Sequence, residues 1–244
     1  CQPFHNVVLP SVMQSIVLNI SGGKARVKLR GRTEIESNAN LIAGQYTKSL
    51  VCTLQGDIDF VGIHFQPTGL FRLLNQPMSK FSDAVNNLDR YGGSWAAAMF
   101  ADILRDTSSE ARISTIESHL SRQVFQAGYT IDLTQKIADL IHLSPGDTLL
   151  ADIGSRYGLS ERTMQRYFLK YVGVTPKKFA SIARFNAVTK MIEMKKSLQW
   201  HGIFEEVGYV DHAHFARDFK KISGKTPTEY YQNKTEYEKF FYGA

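Results

Sequence analysis

The strongest constraint on this chain is a pattern that it spells twice. Gly158 through Phe168 reads as a tight turn opening straight into a helix. Gly158 suits a left-handed residue at the end of a preceding helix, and Ser160 is a good N-cap for the next one. Within that helix Leu159, Met164 and Phe168 can turn toward a core, while Arg162, Gln165 and Arg166 fall at i, i+3 and i+4 on another face. Gly208 through Phe219 repeats the pattern with one residue inserted. Beyond the insertion the register holds: Phe168, Gly173, Pro176 and Phe179 match Phe219, Gly224, Pro227 and Tyr230, each 51 positions later. Met164 and Arg166 match Phe215 and Arg217 at the same offset. Two turn-plus-helix units, each closed by Gly-x-x-Pro-x-x-aromatic, are one structural unit used twice.

A polar face such as Arg162, Gln165 and Arg166 on a single surface helix is ordinarily just solvated. Arginine and glutamine are also the side chains that read guanine and adenine edges bidentately, and the repeat favours that use. Pro176 starts a long helix to roughly Lys196, about 30 Å at ~1.5 Å per residue. That is close to the ~34 Å of one turn of B-DNA, so two reading helices held by it could enter successive stretches of major groove. Charge follows the same segment. The net charge is +6, and Ser160 to Lys196 holds nine Lys/Arg against two acids.

The preceding half is different in kind. Ser15 to Ile20, Ala25 to Arg30, Leu41 to Tyr46, Ser49 to Leu54 and Ile58 to Phe65 read as five short strands, the first pair as a hairpin about Ser21-Gly22-Gly23. That spacing predicts a small sandwich or partial barrel rather than a βαβ fold. At Pro67 helical spacing takes over, with short helices expected over Thr68 to Leu74 and Ser82 to Leu88. Longer ones follow over Ser94 to Leu104, with Trp95, Met99 and Ile103 on one side, and Ser109 to Phe125, with Ile113, Ile116, Leu120 and Val124. These pack on the sheet or pair two chains. After Gln126 to Tyr129 the chain reads as helix throughout: Ile131 to Leu143, a helix capped by Asp147, the two units, and a short helix over Gln199 to Val207.

The motifs from Ile131 to Gln232 resemble the AraC/XylS family of bacterial transcriptional regulators. They run Ile153-x4-Gly158-Leu159-Ser160 into Gln165-Arg166-x-Phe168, Gly208-Tyr209 into Phe215-x3-Phe219-Lys220, then Gly224-x-Thr226-Pro227-x2-Tyr230. Gly62 to Leu70 is similar to the N-terminal domain of a subset of that family. The resemblance implies an α+β chain: an N-terminal small β-sandwich or partial barrel followed by helices, then an all-α domain of two helix-turn-helix units joined by a long helix. It divides as a sensory or dimerisation domain over 1–90, a helical connector over 91–128, and the DNA-binding domain over 129–244. Base-reading positions carried over from the family fall on Arg162, Gln165 and Arg166, and on His212, Ala213, His214 and Arg217. Ala213 offers only a methyl contact. Phosphate contacts fall to Ser160, Lys170, Lys177, Lys178 and Lys220. Phe204 departs from the pattern, since the family has a small residue there, as the first unit does at Gly154. The implied partner is double-stranded DNA, with RNA polymerase, a small-molecule effector and a second copy of the chain as further partners that the resemblance admits.

Other chemistries find little footing. His212 and His214 at i and i+2 point apart on a helix and make a poor chelate, even with His201. His64 lacks the His-x-His and glutamate of a metal cupin and is expected to be a core histidine. A DNA-repair methyltransferase with an AraC-like module is the enzymatic alternative, but it needs several thiolates around zinc. The sequence has two cysteines, Cys1 and Cys52. No cofactor, metal or catalytic residue is expected. Sparse cysteine, the absence of a run of about 18 apolar residues and the lack of a signal pattern point to the cytoplasm. The chain begins at Cys1 rather than methionine, so a preceding first strand remains an open expectation.

Overall fold

The computed structural model describes residues 4–21, 23–29, 34–37, 39–57, 59–124, 128–146, 150–194, 206–209 and 211–232. Strands β1 (Phe4–Val8), β2 (Gln14–Asn19), β3 (Lys24–Leu29), β4 (Glu34–Ser37), β5 (Leu41–Ala43), β6 (Leu50–Gln55), β7 (Phe60–Phe65) and β8 (Val85–Asn87) form two antiparallel sheets. Their orders are β1-β6-β3-β4 and β7-β2-β5-β8. The sheets meet where Val85 of the second packs with Val27 and Leu50 of the first. The other face of the second sheet, through Ile16, Leu18 and Ile42, is covered by α1 (Gly69–Leu74), a 3-10 turn over Met78–Lys80, α2 (Asp89–Ile103) and α3 (Ser109–Gln123). The small sandwich expected from the strand spacing is therefore present.

Several expectations for this half need correction. β2 and β3 are not a hairpin, because β2 pairs with β5 and β7 while β3 pairs with β4 and β6. The chain turns a corner between sheets there. Asn19 fastens it, its amide nitrogen donating to the Gly23 carbonyl at 2.6 Å while its backbone N–H donates to Asn40 Oδ1 at 2.9 Å. Ser82 to Leu88 is not a helix but leads into β8. Asp83 sits at φ 49° and accepts from the Thr47 backbone N–H and hydroxyl, at 2.7 and 2.8 Å, which directs Val85 onto the edge of β5. His64 is not a core residue. Alternation along β7 turns Val61, Ile63 and Phe65 toward the helices, leaving His64 exposed and bonded through Nδ1 to the Ser15 hydroxyl at 2.8 Å.

α2 and α3 cover the sheet through Met99, Ile103 and Ile116. Gly93, at φ 56° and ψ −147°, breaks the first turns of α2, so the expected start at Ser94 marks where the regular helix resumes. Ile113 and Val124, expected on the buried side of α3, are exposed.

The C-terminal half consists of α4 (Tyr129–Leu143), α5 (Leu150–Tyr157), α6 (Glu161–Tyr171), α7 (Pro176–Met194), α8 (His212–Ser223) and α9 (Pro227–Gln232). Asp147, His201, Phe204 and all but the end of the helix expected over Gln199 to Val207 lie outside the described residues. α7 carries apolar residues on two sides and serves two cores. Phe179, Ile182 and Ala183 join α4, α5 and α6, while Phe185, Val188 and Ile192 join α8 and α9.

The segment between β1 and β2 enters both of these cores. Leu9, 3% exposed, packs with Phe185 and Phe219, and Val12, 5% exposed, packs with Phe168 and Phe179. Asn186, midway along α7, holds the segment at both ends of its amide. Its Nδ2 donates to the Pro10 carbonyl at 2.7 Å, and its Oδ1 accepts from the Val12 backbone N–H at 3.1 Å. Further bonds join the halves: Gln14 Nε2 donates to the Val172 carbonyl at 2.7 Å, and the Ser49 hydroxyl donates to the Ser223 backbone carbonyl at 2.9 Å. Arg72 of α1 pairs with Asp132 of α4 at 2.7 Å.

Candidate nucleic-acid interface

The two units repeat down to individual hydrogen bonds. Gly158 and Gly208 occupy left-handed backbone, at φ 63° and 71°. Ser160 Oγ caps α6 by accepting from the Thr163 N–H at 3.2 Å, and Asp211 Oδ1 caps α8 by accepting from the His214 N–H at 2.7 Å. Further on, Thr175 Oγ1 accepts from the Lys178 N–H at 3.3 Å and Thr226 Oγ1 from the Glu229 N–H at 3.2 Å. Phe168 meets Phe179 edge to face at 5.8 Å, as Phe219 meets Tyr230 at 5.5 Å. Caps and aromatic pairs are thus the physical content of the 51-residue offset.

In the first unit the turn is tight. The Leu159 N–H donates to the Gly154 carbonyl at 2.8 Å, and a Cβ on Gly154 would lie 2.9 Å from the Leu159 oxygen. Met164, Phe168 and Tyr171 bury one side of α6. Arg162 and Arg166 are exposed on the opposite side and Gln165 is half-buried. Two of the three are held in place: Gln165 Nε2 donates to Glu161 Oε1 at 3.0 Å, and the Arg166 guanidinium lies 5.4 Å from the Tyr167 ring centre. A 560 Å³ cleft opens beside this face, between the N-terminal ends of α6 and α7, lined by Leu150, Ala151, Ser160, Gln165 and Lys177 among others.

In α8 the buried side is Phe215, Phe219 and Ile222. The residues equivalent to Arg162, Gln165 and Arg166 are Ala213, Ala216 and Arg217. Ala213 and Arg217 are exposed on one stripe, whereas His214 turns to the flank, with Nε2 4.0 Å from Asp218 and its ring edge-on to Tyr209 at 5.2 Å. His212 is exposed at the first position of the helix. Hydrogen bonds from the His214 and Ala213 N–H groups hold the Asp211 carboxyl below the usual range, with the Arg217 charge adding to this. Burial pushes the neighbouring Tyr209 hydroxyl up to about 12.

Of the expected phosphate contacts, Ser160, Lys177 and Lys220 are exposed and Lys178 is half-buried in the first turn of α7. Lys170 is exposed but leans toward the β-rich half, its Nζ 5.8 Å from the Phe71 ring and 5.1 Å from that of Tyr171. Two stripe positions escaped the sequence reading, Ala216 and Leu169. The 51-residue offset applied to Gln165 would have found the first, and helical spacing from Gln165 the second.

The turn after α4, which leads into the helix before the first unit, also touches the second unit. A Cβ on Gly208 would lie 2.6 Å from the Gly146 Cα, and one on Gly146 2.7 Å from the Gly208 nitrogen. Among the described residues no three of His, Cys, Asp or Glu converge as metal ligands, and no helix is long and apolar enough to cross a membrane.

Comparison with known proteins bears on the same residues. A helix-turn-helix domain family matches residues 153–233, and a domain of unknown function matches residues 2–87. No curated protein matches the chain. Among solved structures, ToxT from Vibrio cholerae aligns over 95% of this chain and 97% of its own, at 13% identity and a TM-score of 0.51. ToxT bound to (E)-4-(8-methylnaphthalen-1-yl)but-3-enoic acid aligns over 95% and 98%, at 12% identity and a TM-score of 0.50. At that identity the likeness is one of fold, and it extends from the first sheet to the last helix. Residues 153–233 thus carry paired helix-turn-helix units of the AraC type behind a β-rich N-terminal half, the make-up of a DNA-binding transcription regulator.

Proposed function

We propose that the chain reads a specific DNA sequence with α6 and α8 together, and that its β-rich half controls this through a small molecule or through dimerisation. The carrying observation is the pair of identically capped helices on one shared helix, each with an exposed polar stripe opposite its core. α6 supplies most of the specificity. Arg162 and Arg166 match the acceptor pair of guanine and Gln165 the donor-acceptor pair of adenine. α8 reads fewer bases, with Ala213 offering a methyl, Arg217 a guanidinium, and His212 and His214 flanking contacts. Ser160, Lys170, Lys177, Lys178 and Lys220 bind phosphate and set register, assisted by helix N-termini.

Selection from random duplexes tests the reading. Arg166→Ala should cost about 1–3 kcal/mol and relax preference at one base pair. Lys178→Ala should weaken binding to all sequences alike and lower the salt slope by about one. If Arg166→Ala binds every sequence as the parent does at fixed salt, Arg166 does not read bases.

The complex of ToxT with a carboxylic acid supports a small-molecule effector here too. That acid, added to the purified chain, should raise its melting temperature if the folded state binds it. The repair-enzyme alternative gains no support from Cys52, whose thiol burial pushes up to about 11, away from the thiolate that such chemistry needs.

A further inference from the structure

Leu169 lies in the third turn of α6, 40% exposed. The core side of that helix is already filled by Met164, Phe168 and Tyr171, with Tyr167 beside them. At 3.6 residues per turn Leu169 lies about 20° from Arg162 and about 40° from Gln165 around the helix axis. It therefore continues the reading stripe, seven residues after Arg162, four after Gln165 and three after Arg166. The equivalent position in α8 is Lys220, which is exposed and can reach a phosphate. A leucine can do neither that nor accept or donate a hydrogen bond. The major groove presents one apolar group, the C5-methyl of thymine.

We infer that Leu169 is a specificity residue of α6, packing on a thymine methyl beside the base pairs read by Gln165 and Arg166. The inference rests on the sequence-reading role proposed above and deepens it. It gives the half-site under α6 an A·T pair recognised by its methyl group, where the half-site under α8 meets a lysine. A 5-methylcytosine at that position carries the same methyl and should be favoured over cytosine.

The experiment uses the full chain and the motif enriched from random duplexes, resynthesised with each thymine in turn replaced by deoxyuridine, which lacks only the methyl. The parent should lose about fourfold in affinity at one thymine of the α6 half-site, the transfer free energy of one methyl-sized group. Leu169→Ala should bind the thymine and uracil versions equally there while keeping any methyl sensitivity in the α8 half-site. Leu169→Lys, which copies the second unit, should also ignore the methyl and bind with a steeper salt dependence. A parent indifferent to uracil throughout the α6 half-site overturns the inference, as does a Leu169→Ala variant that keeps the loss. A selection that enriches no motif overturns the sequence-reading proposal itself and takes this one with it.

Discussion

Gly158 and Gly208 form a natural matched pair, because they share a backbone conformation and differ in what surrounds them. Both are left-handed, at φ 63° and 71°. A Cβ on Gly158 meets nothing within 4 Å, whereas one on Gly208 would lie 2.6 Å from the Gly146 Cα and 2.8 Å from its oxygen. Gly158→Ala should therefore register only the left-handed penalty, roughly 1–2 kcal/mol. Part of this is offset because alanine restricts the unfolded chain, by about 0.4–1 kcal/mol. Gly208→Ala carries the same balance and must also displace backbone, which overpacking data put at about 1–3 kcal/mol more. Urea unfolding followed by far-ultraviolet circular dichroism measures both variants. Gly146→Ala, whose Cβ would run into the Val207 carbonyl and which sits at φ 105°, outside the left-handed basin, should cost more than Gly208→Ala. The double variant should cost less than the sum, since either change already separates the two turns. Equal costs for Gly158→Ala and Gly208→Ala, or strict additivity of the Gly146 and Gly208 changes, would show that the turn after α4 and the second unit do not bear on each other.

Two further outcomes follow from the hydrogen bonds. Asn186→Ala removes two of the bonds that hold the Leu9 to Gln14 segment, leaving the part-buried Val12 N–H and Pro10 carbonyl without Asn186, at up to about 1–3 kcal/mol for each group left unsatisfied. Native-state hydrogen exchange should then speed up at Val12; an unchanged rate there would mean that the packing of Leu9 and Val12 and the Gln14 bond to Val172 hold the segment without Asn186. Asp211 and Glu229 both have carboxyls held below the usual range, chiefly by backbone N–H groups, of His214 and Thr226 respectively. A depressed folded pKa gives stabilisation that is present above the unfolded carboxyl range and fades as pH falls through the depressed one. Asp211→Asn keeps an acceptor for the cap but cannot titrate, so its acid unfolding should lose less stability than the parent's below about pH 4. An identical acid limb in the two proteins would assign the effect elsewhere.

The C-terminal half was legible because its instructions are local. Ser160 and Asp211 each cap within three residues of themselves, Gly158 and Gly208 set left-handed turns in their own backbone, and the aromatic pairs Phe168–Phe179 and Phe219–Tyr230 span only eleven. In the β-rich half β2, β3, β5, β6 and β7 were legible as strands, but β1, β4 and β8 were not, nor were the strands' partners. Nothing local distinguishes a hairpin at Ser21 to Gly23 from a corner between sheets, because the choice depends on Asn40 and on the strands β5 to β7. Val85 to Asn87 looked helical because its role is set by the edge of β5 that it meets. Least legible was the segment from Leu9 to Gln14. Its partners at Val172, Asn186 and Phe219 lie well over a hundred residues away, and no periodicity in its own sequence points to them.

That segment makes the boundary between the halves differ in sequence and in space. Leu9 completes the apolar interior around α8, and Val12 completes that around α6. A fragment cut at the start of α4 would retain the polar stripes of α6 and α8 and lose one filling residue from each interior. Such a fragment should be less stable than the same half within the full chain. Shuffling this half onto another sensor would also require the new sensor to bring two apolar side chains, correctly spaced along one connecting segment, into both interiors.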